Sequence, residues 1–375
     1  MIVERPSLER RVLESLDAGR IPVVLGGCAA GRTSLLLRLR ALFGEDRAQY
    51  IDMAAAATTP EQCATRIIAS APAALRPHDD VDTSTARKAF DGLTAYFQQA
   101  TAAGHAPATF LLDEVQDVRT FESFPGLRHV QREFVQRLAA SPNAFVVTSR
   151  FTARAHRLLR DAPARFEVIH MPPMTAEDVH LLVRQLADDA AWPAEVLAPL
   201  AAASAGRAGY ARLLVDALLT QPAHRRRVDA ALMQAFRVDG SLTARCRESY
   251  EFRLHRARGY GALKAILGVL ADTDGLTLTE ISQRLHRTPG STKDYLSWLE
   301  DVDLLTVSRK RYTFTDPLLR VYVRLHAQPV PPTEDTITSE ITRFLASLDL
   351  PATPASAPVA APVHTPAPAG IIEID

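Results

Sequence analysis

"VVLGGCAAGRTSLLLRL", Val23 to Leu39, decides how the rest of the chain is read. An apolar run ends in Gly26 and Gly27. A short turn follows through Cys28, Ala29 and Ala30 to Gly31, and Leu35, Leu36 and Leu39 then recur at helical spacing. Strand, glycine loop and helix in that order gather free backbone N–H groups at the mouth of a helix, a natural place for anionic oxygens. A phosphate loop also needs a hydroxyl for magnesium and a cation that reaches the outer phosphates. Thr33, with Ser34 beside it, supplies the hydroxyl, but Arg32 stands where the motif asks for lysine. Arginine is planar, bulkier and permanently charged; it still pairs with phosphate, even in a bidentate manner, in a loop shaped for a smaller group. Phosphate binding is therefore expected to survive better than hydrolysis, which depends on positioning.

Outward from the loop, the pattern alternates. Leu8, Val12, Leu13 and Leu16 place a helix over Pro6 to Gly19, before the strand "IPVVLGG". "QYIDM" reads as a second strand, followed by two alanine-rich helical stretches at Pro60–Ala71 and Ser84–Ala103 with the acidic loop "RPHDDVDTS" between them. "ATFLLDEVQDV", "NAFVVTSRF" and "RFEVIHM" give three more apolar runs. Strands alternating with helices over this length imply a parallel sheet covered on both faces.

Two of those runs carry chemistry. "FLLDE" sets Asp113 and Glu114 side by side at a strand end, where a magnesium-directed carboxylate and a water-polarising carboxylate are both wanted. "FVVTSR" puts Thr148 and Ser149 at the tip of the next strand, either one close to an outer phosphate. The carboxyl ends of parallel strands form the ligand edge of such a sheet, and all three elements fall there.

Beyond Thr175 the chain reads as helical to about Tyr250. Residues Tyr260 to Ala327 then give three short helices and the strands "LLTVSRK" and "RYTFTD", the order of a winged helix-turn-helix. Ile337, Ile341, Phe344, Leu345 and Leu348 mark one amphipathic helix, and a proline- and alanine-rich tract closing on "IIEID" follows. The expected divisions are a core at 1–172, a helical lid at 173–254, a winged helix at 255–328, an amphipathic helix at 329–350 and an extended tail at 351–375.

Composition narrows the classes. The 43 basic and 43 acidic residues cancel, so no global field draws the chain to nucleic acid or to an acidic membrane. Four of the basic residues are lysine and the rest arginine, which gives Arg32 a bland compositional origin. Cys28, Cys63 and Cys246 are widely spaced and match neither a disulfide framework nor a zinc site, and no run reaches membrane-spanning length. A cytoplasmic protein is the expectation.

Taken together, "ERPSLERRVLESLDAG", the glycine loop, "LLDEVQDV", "FVVTSR", "RFEVIHMPPMTAED", "SAGRAGYARLL" and "YTFTDPLLRVYV" resemble the AAA+ and STAND class of P-loop ATPases. The likeness is to the archaeal-type ATPases with a C-terminal winged helix in particular. It implies an α/β P-loop fold that binds ATP and magnesium. In it Gly26 to Ser34 hold phosphate, Thr33 and Asp113 hold the metal, and Glu114 acts as general base. Thr148 or Ser149 is the implied phosphate sensor, Arg165 an arginine finger or its in-chain equivalent, and Arg207 a lid contact to nucleotide. A nucleotide-dependent switch, with or without a change of oligomer, is the expected activity; the alternatives are a non-hydrolysing nucleotide-bound adaptor and a DNA-binding regulator that uses the winged helix.

The winged helix invites DNA, yet its second long helix, "GSTKDYLSWLEDVD", sets Lys293 against Asp294, Glu300, Asp301 and Asp303. Phosphate contacts dominate DNA affinity, so this helix is a poor reader. The wing, with Arg309, Lys310 and Arg311, is the better surface for DNA; protein docking through the winged helix or the tail is the competing expectation.

Overall fold

The computed structural model describes residues 4–77, 81–187, 192–255, 257, 259–327 and 330–348. The tail at 351–375 and the acidic centre of the loop at 78–80 lie outside the described residues. Strands β1 (Ile21–Leu25), β2 (Ala48–Asp52), β3 (Thr109–Asp113), β4 (Ala144–Ser149) and β5 (Phe166–His170) form one sheet in the order β2-β3-β4-β1-β5, with every pairing parallel. Parallel neighbours need long crossovers, and helices provide them on both faces. Alternate side chains go to opposite sides. Ile21, Val23, Leu25, Phe110, Leu112, Phe145 and Val147 meet one set of helices, while Val24, Leu111, Val146 and Ile169 meet Leu8, Val12, Leu36 and Leu39 on the other. Phe97 is fully buried at the centre of the first face, edge-on to Phe110 at 4.8 Å and to Phe145 at 6.1 Å. Truncating such a ring costs about 3–5 kcal/mol.

The strand order positions the site. β4 lies between β1 and β3, so the glycine loop after β1 and the acidic pair after β3 flank the tip of β4. Leu25 pairs with Ser149 and Asp52 with Asp113, which brings the carboxyl ends level.

Sequence periodicity left several elements of this core unassigned, among them the 3-10 segment Val115–Ser123 and the helices Val130–Ala140 and Thr152–Leu159. The last buries only Ala155, so it carries no apolar stripe to read. In the carboxyl half, five helices from Ala176–Leu186 to Ser241–Leu254 precede the winged helix. That unit consists of helices Tyr260–Asp272, Leu278–Arg284 and Pro289–Asp301 with the hairpin β7 (Leu305–Ser308) and β8 (Arg311–Phe314). A short strand β6 (Leu276–Thr277), absent from the sequence reading, pairs with β8. Arg309 and Lys310 turn the hairpin with φ of 50° and 65°. The amphipathic helix forms over Glu334–Ala346 and packs on helices Val228–Ala235 and Pro317–His326. One continuous apolar cluster runs from Ala29 and Phe151 through Leu214 and Leu267 to Ile341, so lid, winged helix and amphipathic helix share a core. Among the described residues, no helix is long and apolar enough to cross a membrane.

Candidate functional site

The loop closes tightly because small residues leave room for its neighbours. Gly31 has φ +100° and opens the helix Arg32–Phe43. A Cβ on Gly26 would lie 2.9 Å from the Cβ of Met171, and one on Gly27 would lie 2.7 Å from Nη1 of Arg207. From the lid, Gly209 approaches until its N–H donates to the carbonyl of Ala29 at 2.8 Å. Cys28 is half-buried, and its carbonyl accepts from Arg207 at 2.6 Å.

Arg32 does not point out to solvent. Its Nη1 donates to the carbonyl of Gly27 at 2.5 Å and also to that of Gly26, and its Nη2 meets Glu114 Oε1 at 2.5 Å. The guanidinium therefore lies inside the turn, and both partners of the ion pair are buried, each side chain about 9% exposed. Its Nε is buried without a partner. The other oxygen of Glu114 accepts from the N–H of Arg150 and pairs with the Arg150 guanidinium, both at 3.0 Å. Burial alone would push the Glu114 carboxyl up, but the Arg32 and Arg150 charges outweigh it and hold it below its ordinary value. Burial likewise works against the Arg150 cation, and Glu114 more than offsets that, so its pKa rises. A carboxylate clamped from both sides is ionised, and each of its oxygens already carries a cation.

Beside this clamp lies a second network. Thr33 Oγ1 donates to Asp113 Oδ2 at 2.6 Å, and Tyr50 reaches the same oxygen at 3.1 Å. Thr148 donates to Asp113 Oδ1 and accepts from the N–H of Glu114 at 3.1 Å. Burial, then the Asp113 charge, pushes the Tyr50 phenol well above its ordinary value, so Tyr50 is a permanent donor here. A threonine hydroxyl in contact with a carboxylate suits magnesium, which takes one or two protein oxygens and fills its shell with water and phosphate. Ser149 spends its hydroxyl on the N–H of Phe151 at 3.0 Å. Of the two sensor candidates, only Thr148 joins the network around Asp113. Ala30 and Ser34 complete the turn and the first turn of the helix.

Arg207 lies over the loop. Besides Cys28 it donates to the carbonyl of Thr315 at 2.9 Å and sits 3.5 Å from the Asp316 carboxylate. Asp316 is buried, accepts from Tyr210 at 2.8 Å, and caps helix Pro317–His326 through the N–H groups of Leu318 and Leu319. A winged-helix carboxylate is thus linked to the phosphate loop through one lid arginine. Asp303 makes a second dock by capping the N–H of Thr152, just past the tip of β4.

Arg165 is elsewhere. The resemblance casts it as a finger, but it precedes β5 at the amino edge of the sheet, opposite the loop. There its guanidinium ties together the carbonyls of Gly19, Ala139, Ser141 and Asn143 at 2.5–3.1 Å. Its Nε, Nη1 and Nη2 all donate to backbone carbonyls there, and the guanidinium does not reach the phosphate loop of its own chain. Sequence reasoning also missed Tyr50, Arg150 and Asp316. Arg150 was in plain view as the last letter of "FVVTSR", and Tyr50 lies two residues before the strand-end Asp52.

No protein-family model matches the chain, and no curated protein matches it. Among solved structures it is similar to the Walker-type ATPase of Pyrococcus abyssi, with a TM-score of 0.65 at 16% identity over 86% of this chain and 96% of that one. The fold is that of a Walker-type P-loop ATPase. Looser likenesses are the Orc1 protein of Aeropyrum pernix in complex with DNA (TM-score 0.45, 17% identity, 92% of this chain and 94% of that one) and the RuvB Holliday junction branch migration motor of Thermotoga maritima (TM-score 0.43, 13% identity, 84% and 93%). In this Walker-type fold the loop after β1 and the acidic pair after β3 meet across β4.

Proposed function

We propose that the chain is an ATP-binding switch whose resting state is held shut by Arg32. The carrying observation is the Arg32 guanidinium bonded at once to two loop carbonyls and to Glu114. A polyphosphate entering the turn competes for that cation. If Arg32 turns to phosphate, Glu114 loses one of its two clamps and regains an oxygen for water. Thr33 and Asp113 are the residues to hold magnesium, which when bound supplies positive charge against the phosphates. Arg207 reads the loop through the Cys28 carbonyl, and Thr315 and Asp316 pass any shift to the winged helix. Hydrolysis is expected to be slow, because Glu114 starts in a buried ion pair.

The output is a change in partner binding or assembly through the winged helix or the carboxyl-terminal segment. A DNA-directed output has one feature in its favour: Arg309 and Lys310 at the tip of the wing have no hydrogen-bond or ion-pair partner among the described residues, while Arg311 is tied to the carbonyl of Gly275. Calorimetry with ATP and magnesium tests the reading. Binding is expected for the natural chain, and weaker, magnesium-indifferent binding for Asp113→Asn; no heat from the natural chain refutes the switch. Binding without phosphate release above a Glu114→Gln control would assign the non-hydrolysing adaptor instead.

A further inference from the structure

A second cleft, of about 830 Å³, opens between the core and the winged helix. It is lined by the 3-10 segment Val115–Ser123, the start of helix Val130–Ala140 with the turn before it, the helix Thr152–Leu159, the end of helix Ser241–Leu254 and the helix Pro289–Asp301; no residue of the phosphate loop lines it. Six arginines face it against three carboxylates. The imbalance is sharper than that count, because Arg157 is paired with Asp301 at 2.5 Å and Arg119 lies 3.7 Å from Glu122, whereas Arg128, Arg132 and Arg154 have no hydrogen-bond or ion-pair partner among the described residues. Arg154 packs on the Phe151 ring at 5.0 Å. Burial and the neighbouring Arg119 depress its pKa against the opposing pull of Asp301 and Asp303. Gln116, also lining the cleft, is 7% exposed, and its Nε2 is buried without a partner.

Three guanidinia without a hydrogen-bond or ion-pair partner among the described residues and an unanswered amide donor describe a site for an oxygen-rich anion. Aromatic side chains line the same cleft: Phe252 is 42% exposed with the Arg150 guanidinium 4.4 Å from its ring, and Trp298 is the other. Cations along a groove with rings among them are what a phosphodiester strand with unstacked bases requires. The volume matches a few nucleotides of one strand rather than the girth of a duplex. We propose that this cleft binds single-stranded nucleic acid, with Arg128, Arg132 and Arg154 on the phosphates, Gln116 donating to a base or phosphate oxygen, and Phe252 and Trp298 against the bases.

Fluorescence anisotropy of a short labelled oligothymidylate, at low salt with chelator and no added nucleotide, tests this independently of the phosphate loop. The natural chain is expected to bind. Arg128→Ala with Arg132→Ala, both at exposed positions, and separately Arg154→Gln, are expected to weaken binding by about tenfold or more, and log affinity should fall against log salt with a slope near 2 for three phosphate contacts. The wing pair Arg309→Ala with Lys310→Ala reports separately on the DNA-directed surface of the wing. No binding by the natural chain, unchanged binding by the cleft variants, loss only in the wing pair, or equal affinity for a duplex of the same length would each overturn the proposal.

Discussion

Arg32→Lys restores the usual cation of a phosphate loop and removes the plug. Arg32 makes three hydrogen bonds, to the carbonyls of Gly26 and Gly27 and to Glu114. An ammonium on a thin stem has no planar fork, so it cannot span two carbonyls on one side and a carboxylate on the other. At least one charge-assisted bond is lost, each worth about 1.5–3 kcal/mol, while the charge itself stays and avoids the larger cost of an orphaned Glu114. The folded state should therefore lose about 1–3 kcal/mol in thermal or denaturant unfolding without nucleotide. Turnover should move the other way. If releasing Glu114 recovers even about 1.4 kcal/mol of the barrier, phosphate release rises about tenfold. Steady-state phosphate release with ATP and magnesium, with Glu114→Gln as the blank, reads this directly. Turnover that stays level or falls while stability drops as expected would refute the plug and leave Arg32 as a structural residue.

Two further outcomes follow from other contacts. Gly209→Ala would place a Cβ 2.9 Å from the Cβ of Ala29 and 3.2 Å from its carbonyl oxygen, against the 2.8 Å bond that joins lid to loop. Calorimetry should show ATP binding weakened by about tenfold with far-ultraviolet dichroism unchanged, and normal affinity would show that the lid contact is idle. His326 joins the winged helix to the lid through Phe236 and Thr243. Burial pushes its pKa down despite the bond to the Phe236 carbonyl. Its unfolded form takes a proton near pH 6.5 while the folded form resists, so stability present above that pH is lost as pH falls, with a slope below about 1.4 kcal/mol per unit. Thermal unfolding between pH 8 and 5.5 should show a shallower loss for His326→Gln, and identical slopes would remove His326 from the account.

Much of the site was legible because it is local. The glycine turn between a strand and a helix, and two carboxylates at the end of an apolar run, are set by residues a few positions apart. Arg207 was singled out only through the family resemblance, and its partner Asp316 was not singled out, since 109 positions of chain separate them and nothing in either neighbourhood points to the other.

The amino-acid order alone determined the alternation of strands and helices, the phosphate-loop geometry around Gly26 to Thr33, the acidic pair Asp113 and Glu114, and the helix-hairpin pattern of the winged unit, because periodicity and turn chemistry act over short range. Only the folded chain decided where the long cations go. Arg32 turns inward because β4 sits between β1 and β3 and brings Glu114 within its reach, and Arg150 closes on the same carboxylate from the tip of β4. Arg165 lies at the opposite edge because it precedes its strand, where the carbonyls of Ala139, Ser141 and Asn143 accept from it. A flexible charged side chain takes the partner that strand order and packing put beside it, and that partner is distant in sequence.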